Sequence, residues 1–315
     1  MLTMSVVEPR QRGVALLTVL LVVFLASTAA VGLASLQALS VRRQTLFLHQ
    51  QQARYYVLGA EAWAARILAR DRADNATDSP DEDWAIIPPA LPVEGGMLHG
   101  RIQDLQGRFN LNSLLVEDAV DPAQLAYLRR ILEALELNPT LADAIADWLD
   151  PDQETRFPGG AEDSEYVAAE VPYLAANRPF ASVSELRLVR GVDAEVYRRL
   201  APLVSALPGE AGLNLNTAAA PLLAALVVEV LPLSLVGEGE DLAEREPLPS
   251  VDQFLATATL AEPPVDPARL AVASRYFLLS AEAEVGSARA TLKSVLERAD
   301  NGATHAVRRS FGADW

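Results

Sequence analysis

Residues Val14 to Leu36 read VALLTVLLVVFLASTAAVGLASL, 23 in succession with no charged side chain. Coiled as a helix, this run reaches about 35 Å, enough to cross a hydrocarbon layer roughly 30 Å thick. Ahead of it Arg10 and Arg12 outnumber one acid, Glu8. That asymmetry favours keeping the first residues in the cytoplasm and delivering the rest across the membrane. The run admits three uses. It reads as a plain anchor, as a cleavable secretory signal with small residues Ala26-Ser27-Thr28-Ala29-Ala30 at its exit, or as the helix behind a short leader ending at Arg12-Gly13-Val14. A secretory signal has an apolar core of about 7–15 residues, shorter than this one.

The residues that follow bear on that choice. No proline occurs between Pro9 and Pro80, and Gly32 and Gly59 are the only glycines between Val14 and Ser79. Tyr56, Ala60, Trp63 and Ile67 recur at helical spacing, one stripe of an amphipathic helix. Membrane segment and stripe read as one helix from Val14 to Arg70, about 85 Å long, with an anchor followed by a separate helix as the alternative. A signal peptide needs no such continuation.

The remainder has the material for a core. Of 315 residues 50% are hydrophobic and 22% charged, which excludes wholesale disorder and suggests more than one domain. The formal charge of −16 repels phosphate backbones, so nucleic acid is not an expected partner. With no cysteine, thiolate metal sites, cysteine nucleophiles and disulfides are excluded. His49, His99 and His305 lie far apart in the chain and make no HExxH motif.

Asp74 to Pro92 is acidic and proline-rich, a loop or crossing segment. After Gly95-Gly96, Leu98, Ile102 and Asp104-Leu105 give a short strand or hairpin ended by Gly107. Asp121-Pro122 caps a helix through AQLAYLRRILEALEL, and Asn138-Pro139 stops it and starts LADAIADWLD. Ser182-Val183-Ser184-Glu185 is a capping box, Gly191 breaks the helix it opens, and Ala194 to Leu207 reads as its partner. A helix is expected from Thr217-Ala218 to Val230, an acidic linker from Gly237 to Pro249, and a short helix from Val251 to Ala258. The period then changes. Tyr276 to Val285, Ala288 to Arg298 and Ala303 to Phe311, with an Asn301-Gly302 turn, read as a three-stranded antiparallel meander. The expected fold class is α+β, with a large all-α insertion.

The densest acids are Asp147, Asp150, Asp152, Glu154, Glu162, Asp163 and Glu165, around Pro158-Gly159-Gly160. Asp150, Asp152 and Glu154 have the first spacings of an EF-hand loop. Thr155 and Ala161 stand where its glycine and closing Glu belong, so it is not one. The cluster admits a solvated loop, a hard-cation site, or a hydrolytic pair such as Asp150 and Glu162 in a membrane-anchored periplasmic hydrolase. No GxSxG, Walker loop or dinucleotide fingerprint accompanies it, so an enzyme is not expected. The capping-box pair resembles a helix-hairpin-helix or SAM-like unit, with Arg187, Arg190, Arg198 and Arg199 nearby. Its turn carries Asp193 where a phosphate would sit, which favours packing or protein contact. Asn110-Leu111-Asn112 and Asn214-Leu215-Asn216 read as caps of turns or helix starts.

Four segments together carry a family resemblance: RGVALLTVLLV from Arg12, GRFNLNSL from Gly107, DWLDPDQETRFPGGAEDSEY from Asp147, and GLNLNTA from Gly212. The chain resembles the protein K family of the general secretion pathway, the large minor pseudopilins of type II secretion. The resemblance implies a pilin-like long N-terminal helix and antiparallel sheet with a SAM-like insertion. It divides the chain into a prepilin leader (1–13), a transmembrane part (14–36), a periplasmic helix and first strand (37–112), a helical insertion (113–270) and C-terminal strands (271–315). It implies cleavage between Gly13 and Val14 by prepilin peptidase and N-methylation of Val14. Major pilins carry Glu at the fifth mature position, where it is thought to pair with the N-terminal amine of the adjacent subunit. Thr18 stands there in this chain, which suits a subunit at the filament tip. Bound calcium is implied, with Asp150, Asp152, Glu154, Glu162 and Asp163 as its expected ligands. Implied partners are the minor pseudopilins I, J and H, the major pseudopilin G, and the inner-membrane assembly platform. The location is a single inner-membrane pass with the bulk periplasmic. A minor pilin of a type IV pilus or DNA-uptake system is the alternative.

Overall fold

The computed structural model describes residues 12–230 and 246–312. The leader, apart from Arg12 and Gly13, and most of the acidic linker therefore lie outside the described residues. Helix α1 runs unbroken from Arg12 to Asp74, 63 residues, or about 95 Å. It is the one helix among the described residues long and apolar enough to span a membrane. Residues 14–48 are exposed throughout, as befits a segment whose solvent is lipid or a neighbouring helix.

From Ala53 one stripe of α1 turns inward: Ala53, Val57, Ala60, Ala64 and Leu68 are buried. The expected stripe was offset from this one. Ala60 belongs to it and Tyr56 and Ile67 flank it, but Trp63 is 53% exposed. Small alanines, unremarkable in a search for large apolar residues, let the helix axis approach the sheet.

After α1 the chain crosses to β1 (Leu91–Val93), which hairpins into β2 (Gly96–Asp104). Only glycine fits at position 96, because a Cβ there would lie 1.6 Å from the Glu284 carbonyl oxygen. The chain then leaves the sheet. It forms β3 (Phe109–Asn110), β4 (Leu115–Val116), β5 (Ala119–Val120), α2 (Pro122–Ala134), α3 (Leu141–Leu149), α4 (Asp163–Val167) and α5 (Ala194–Leu200). Next come β6 (Val204–Ser205), β7 (Leu213–Asn214), α6 (Ala220–Leu226), β8 (Val227–Val230), α7 (Val251–Thr257), β9 (Ala258–Leu260) and β10 (Leu270–Ala271). It returns as β11 (Tyr276–Val285), β12 (Ala288–Arg298) and β13 (Thr304–Phe311). The main sheet is five-stranded in the order β1-β2-β11-β12-β13, antiparallel throughout. The fold is α+β, a pilin-like helix on an antiparallel sheet with a largely helical insert.

Two cores result. One lies between α1 and the sheet and includes Phe277, Leu279, Leu292 and Leu296; the other fills the insert around Leu128, Ile131, Ile145 and Leu149. A half-buried clamp holds α1 to the sheet: Glu61 accepts from Arg309 through both carboxylate oxygens at 2.7 Å, and from Ser294 at 2.6 Å.

Several local readings change. The capping box at Ser182 and Glu185 is present, but it opens a 3-10 helix, Val183–Leu188. The partner helix ends at Leu200 rather than Leu207, because Pro202 turns the chain toward β6. The helix expected through Val230 stops at Leu226. Its β-branched end, from Val227, becomes β8 and pairs with β9. The two Asn-Leu-Asn motifs also reach beyond local caps. Asn112 binds the backbone of Phe180 and Leu207, and Asn214 binds Asp104, Ser274 and the Asp78 carbonyl. They staple distant segments together beside the short parallel ladders β3–β6 and β7–β10.

Candidate functional site

The Gly13–Val14 peptide lies in the first turn of α1. Four residues on from Val14, the Thr18 hydroxyl donates to the Ala15 carbonyl at 2.9 Å. Thr28 and Ser35 bond back to Leu25 and Val31 in the same way. Inside a hydrocarbon layer each hydroxyl thus finds its acceptor within its own helix. Thr18 offers no carboxylate to a neighbouring chain.

The acidic loop of the insert begins on α3, whose last turn buries Asp147 and delivers Asp150 at its C-cap. Arg156 folds back between them. Its Nη1 donates to Asp147 Oδ1 at 2.8 Å and also to Asp150 Oδ2, and its backbone N–H reaches Asp147 Oδ2 at 3.1 Å. Gly160 makes this closure possible, since a Cβ there would stand 2.2 Å from Asp147 Oδ2 and 2.4 Å from the Arg156 carbonyl. Glu162, just before α4, is brought to the same place and is 2% exposed. Neither of its carboxylate oxygens has a hydrogen-bond partner, nor has Asp150 Oδ1. Burial, reinforced by repulsion from Asp147, Asp150, Asp152 and Asp163, pushes the Glu162 carboxyl up to about 8.

Among the five expected ligands, Asp150, Asp152 and Glu162 converge, with one oxygen from each within 4.8 Å of the others. Calcium–oxygen bonds of roughly 2.3–2.6 Å accommodate that separation on one ion. Unpartnered buried carboxylate oxygens are costly, and a hard dication held by the group would offset that cost. The donor set fits calcium. Glu154 and Asp163 stand outside the group. Glu154 is exposed and its N–H closes a turn on Asp152 Oδ1 at 2.7 Å, whereas Asp163 Oδ1 accepts from Ala175 N at 2.9 Å. Arg156 was not foreseen, although it is the sole Lys or Arg between Asp147 and Tyr166, and a lone cation among acids is a readable signal.

The hairpin arginines are engaged within the chain. The Arg187 guanidinium lies 4.2 Å from the Tyr197 ring centre, Arg190 pairs with Glu165 at 3.4 Å, Arg198 pairs with Glu195, and Arg199 with Glu136 at 3.5 Å. Asp193 accepts from Val196 N at 2.8 Å, capping α5 rather than facing a ligand.

Comparison with known proteins agrees with this architecture. Residues 107–209 match the family described as Type II secretion system (T2SS), protein K. The Type II secretion system protein K of Pseudomonas aeruginosa is 40% identical over 96% of this chain and 93% of its own length. That of Aeromonas hydrophila is 36% identical over 96% and 98%. The chain also aligns with one in the crystal structure of the GspK-GspI-GspJ complex from the enterotoxigenic Escherichia coli type 2 secretion system. The TM-score is 0.71, with 29% identity over 87% of this chain and 99% of that one. A single anchoring helix, a pilin-like sheet and a helical insert thus coincide with near-full-length similarity, and the chain belongs to the type II secretion system protein K family, the minor pseudopilins of that system.

Proposed function

We propose that this minor pseudopilin caps the pseudopilus tip together with minor pseudopilins I, J and H, above a shaft of major pseudopilin G. In this reading prepilin peptidase cleaves between Gly13 and Val14, Val14 is N-methylated, and the inner-membrane platform assembles the product. Val14 to Leu36 spans the inner membrane once, with the leader cytoplasmic and the remainder periplasmic. The observation that carries the tip role is Thr18. Its hydroxyl is spent on the Ala15 carbonyl, so α1 can pack into a filament but offers no carboxylate at that membrane position with which to engage a subunit beyond it. The related chain in complex with GspI and GspJ supports I and J as neighbours. The insert, residues 113–270, would supply bulk that stops further addition. The work is assembly rather than catalysis.

Calcium at Asp150, Asp152 and Glu162 would cross-link the end of α3 to the start of α4 and hold the loop between them. Arg156 would keep Asp147 and Asp150 in place beside the ion. The test is purification of the full chain from detergent-extracted membranes in which I and J are co-produced. A stable complex of the three is expected, and recovery of this chain alone would overturn the proposal.

A further inference from the structure

The described residues bring a second set of acids together, at the far end of α1. Asp71 in the last turn of α1, and Asp78 and Glu82 in the crossing that follows, each place a carboxylate oxygen within 4.8 Å of the other two. The crossing is pinned there. Asp78 N donates to the Val272 carbonyl at 2.9 Å, and Glu82 accepts from Asn75 Nδ2 at 2.5 Å, Ser79 Oγ at 3.1 Å and Trp84 Nε1 at 2.6 Å. The cation in direct contact is Arg298, from the end of β12. It pairs with Asp71 at 2.8 Å and with Asp78 Oδ2, and it also donates to the Leu68 and Ser274 carbonyls. Ser274 N completes Asp78 Oδ2 at 2.7 Å. Asp78 Oδ1 is left over. Asp78 is fully buried, and this oxygen has no hydrogen-bond partner.

Three carboxylates against one guanidinium leave a formal charge of about −2 in a place largely withdrawn from water, a costly arrangement when uncompensated. A divalent ion brings that sum to zero and gives Asp78 Oδ1 its partner. An all-oxygen set calls for a hard cation, which completes its shell with water. We propose that Asp71, Asp78 and Glu82 form a second calcium site, separate from the insert loop, that fastens the end of the stem helix to the crossing segment and to the end of β12.

The test uses the full chain in detergent micelles, stripped of cations and titrated with calcium chloride by calorimetry. Asp150→Asn with Glu162→Gln disables the insert loop, so the remaining binding reports the stem site whatever that loop does. One ion per chain is expected in this background, with Kd of about 1 mM or tighter, and Glu82→Gln should weaken it at least tenfold. Because the Trp84 indole is bonded to the Glu82 carboxylate, terbium in the same background should emit on tryptophan excitation. Trp84→Phe should quench that emission and leave the calcium stoichiometry unchanged, a comparison that holds even if Glu82→Gln fails to fold. Loss of all calcium binding and all sensitised emission in the Asp150→Asn, Glu162→Gln chain would overturn the proposal. So would emission that survives Trp84→Phe undiminished.

Discussion

Calcium binding at the insert loop should release a proton, and the amount follows from Glu162. With its carboxyl near pH 8 in the cation-free chain, about 0.9 of the molecules carry that proton at pH 7 and about 0.1 at pH 9. Calcium takes the ionised form, so binding near pH 7 should displace about 0.9 proton per ion. The apparent affinity should rise about ninefold from pH 6 to 7, about fivefold from 7 to 8, and less than twofold beyond. Calorimetry in two buffers of different ionisation enthalpy measures the proton directly, in a Glu82→Gln background so that only the insert loop contributes. Glu162→Gln should lower affinity and abolish the buffer dependence. A heat that is independent of buffer at pH 7, or a Glu162→Gln chain that releases as much proton, would refute the placement of a buried, unpartnered Glu162 in the site. The stability of the cation-free chain runs the opposite way with pH. The cation-free folded chain holds a proton that the unfolded chain releases near 4.5, so its stability falls as pH rises from about 4.5 to about 8. Saturating calcium should remove that decline.

Other consequences can be read by thermal or denaturant unfolding. Gly160→Ala places a Cβ against Asp147 Oδ2 and the Arg156 carbonyl, so the calcium-dependent rise in Tm should disappear while the insert core persists. Arg156→Leu leaves buried Asp147 and Asp150 without their cation; it should cost about 3–5 kcal/mol without calcium and visibly less at saturating calcium. Phe277→Ala removes a fully buried ring that meets Trp84 edge-on at 5.2 Å and lies under Arg298. It should cost about 3–5 kcal/mol, and equal stability to the parent would show that α1 and the sheet do not share one core.

Much of this fold is legible because its periods are local. The uncharged run from Val14 to Leu36 and the absence of proline up to Pro80 specify one long helix. The alternation from Ala288 to Arg298 and the Asn301-Gly302 turn specify the meander. What escaped reading depends on contacts distant in sequence. The buried stripe of α1 is set by close approach to the sheet, which favours Ala53, Ala60 and Ala64 over the larger Trp63. Val227 to Val230 reads as helix until β9 arrives to pair with it. The acid loop was located by charge density, yet density cannot tell Glu162, which turns inward, from Glu154, which stays in solvent. Asp71, Asp78 and Glu82 read as the end of a helix and an ordinary acidic loop, because the cation that gathers them, Arg298, is more than 200 residues further on.

The central claim is that this chain enters a filament as a processed pilin-like subunit. Its most direct test is the N-terminal residue and intact mass of the membrane-associated protein, with and without prepilin peptidase. The expected result is a start at N-methylated Val14 that requires the peptidase. An intact Met1 in both strains, or a start near Ala30, would contradict it.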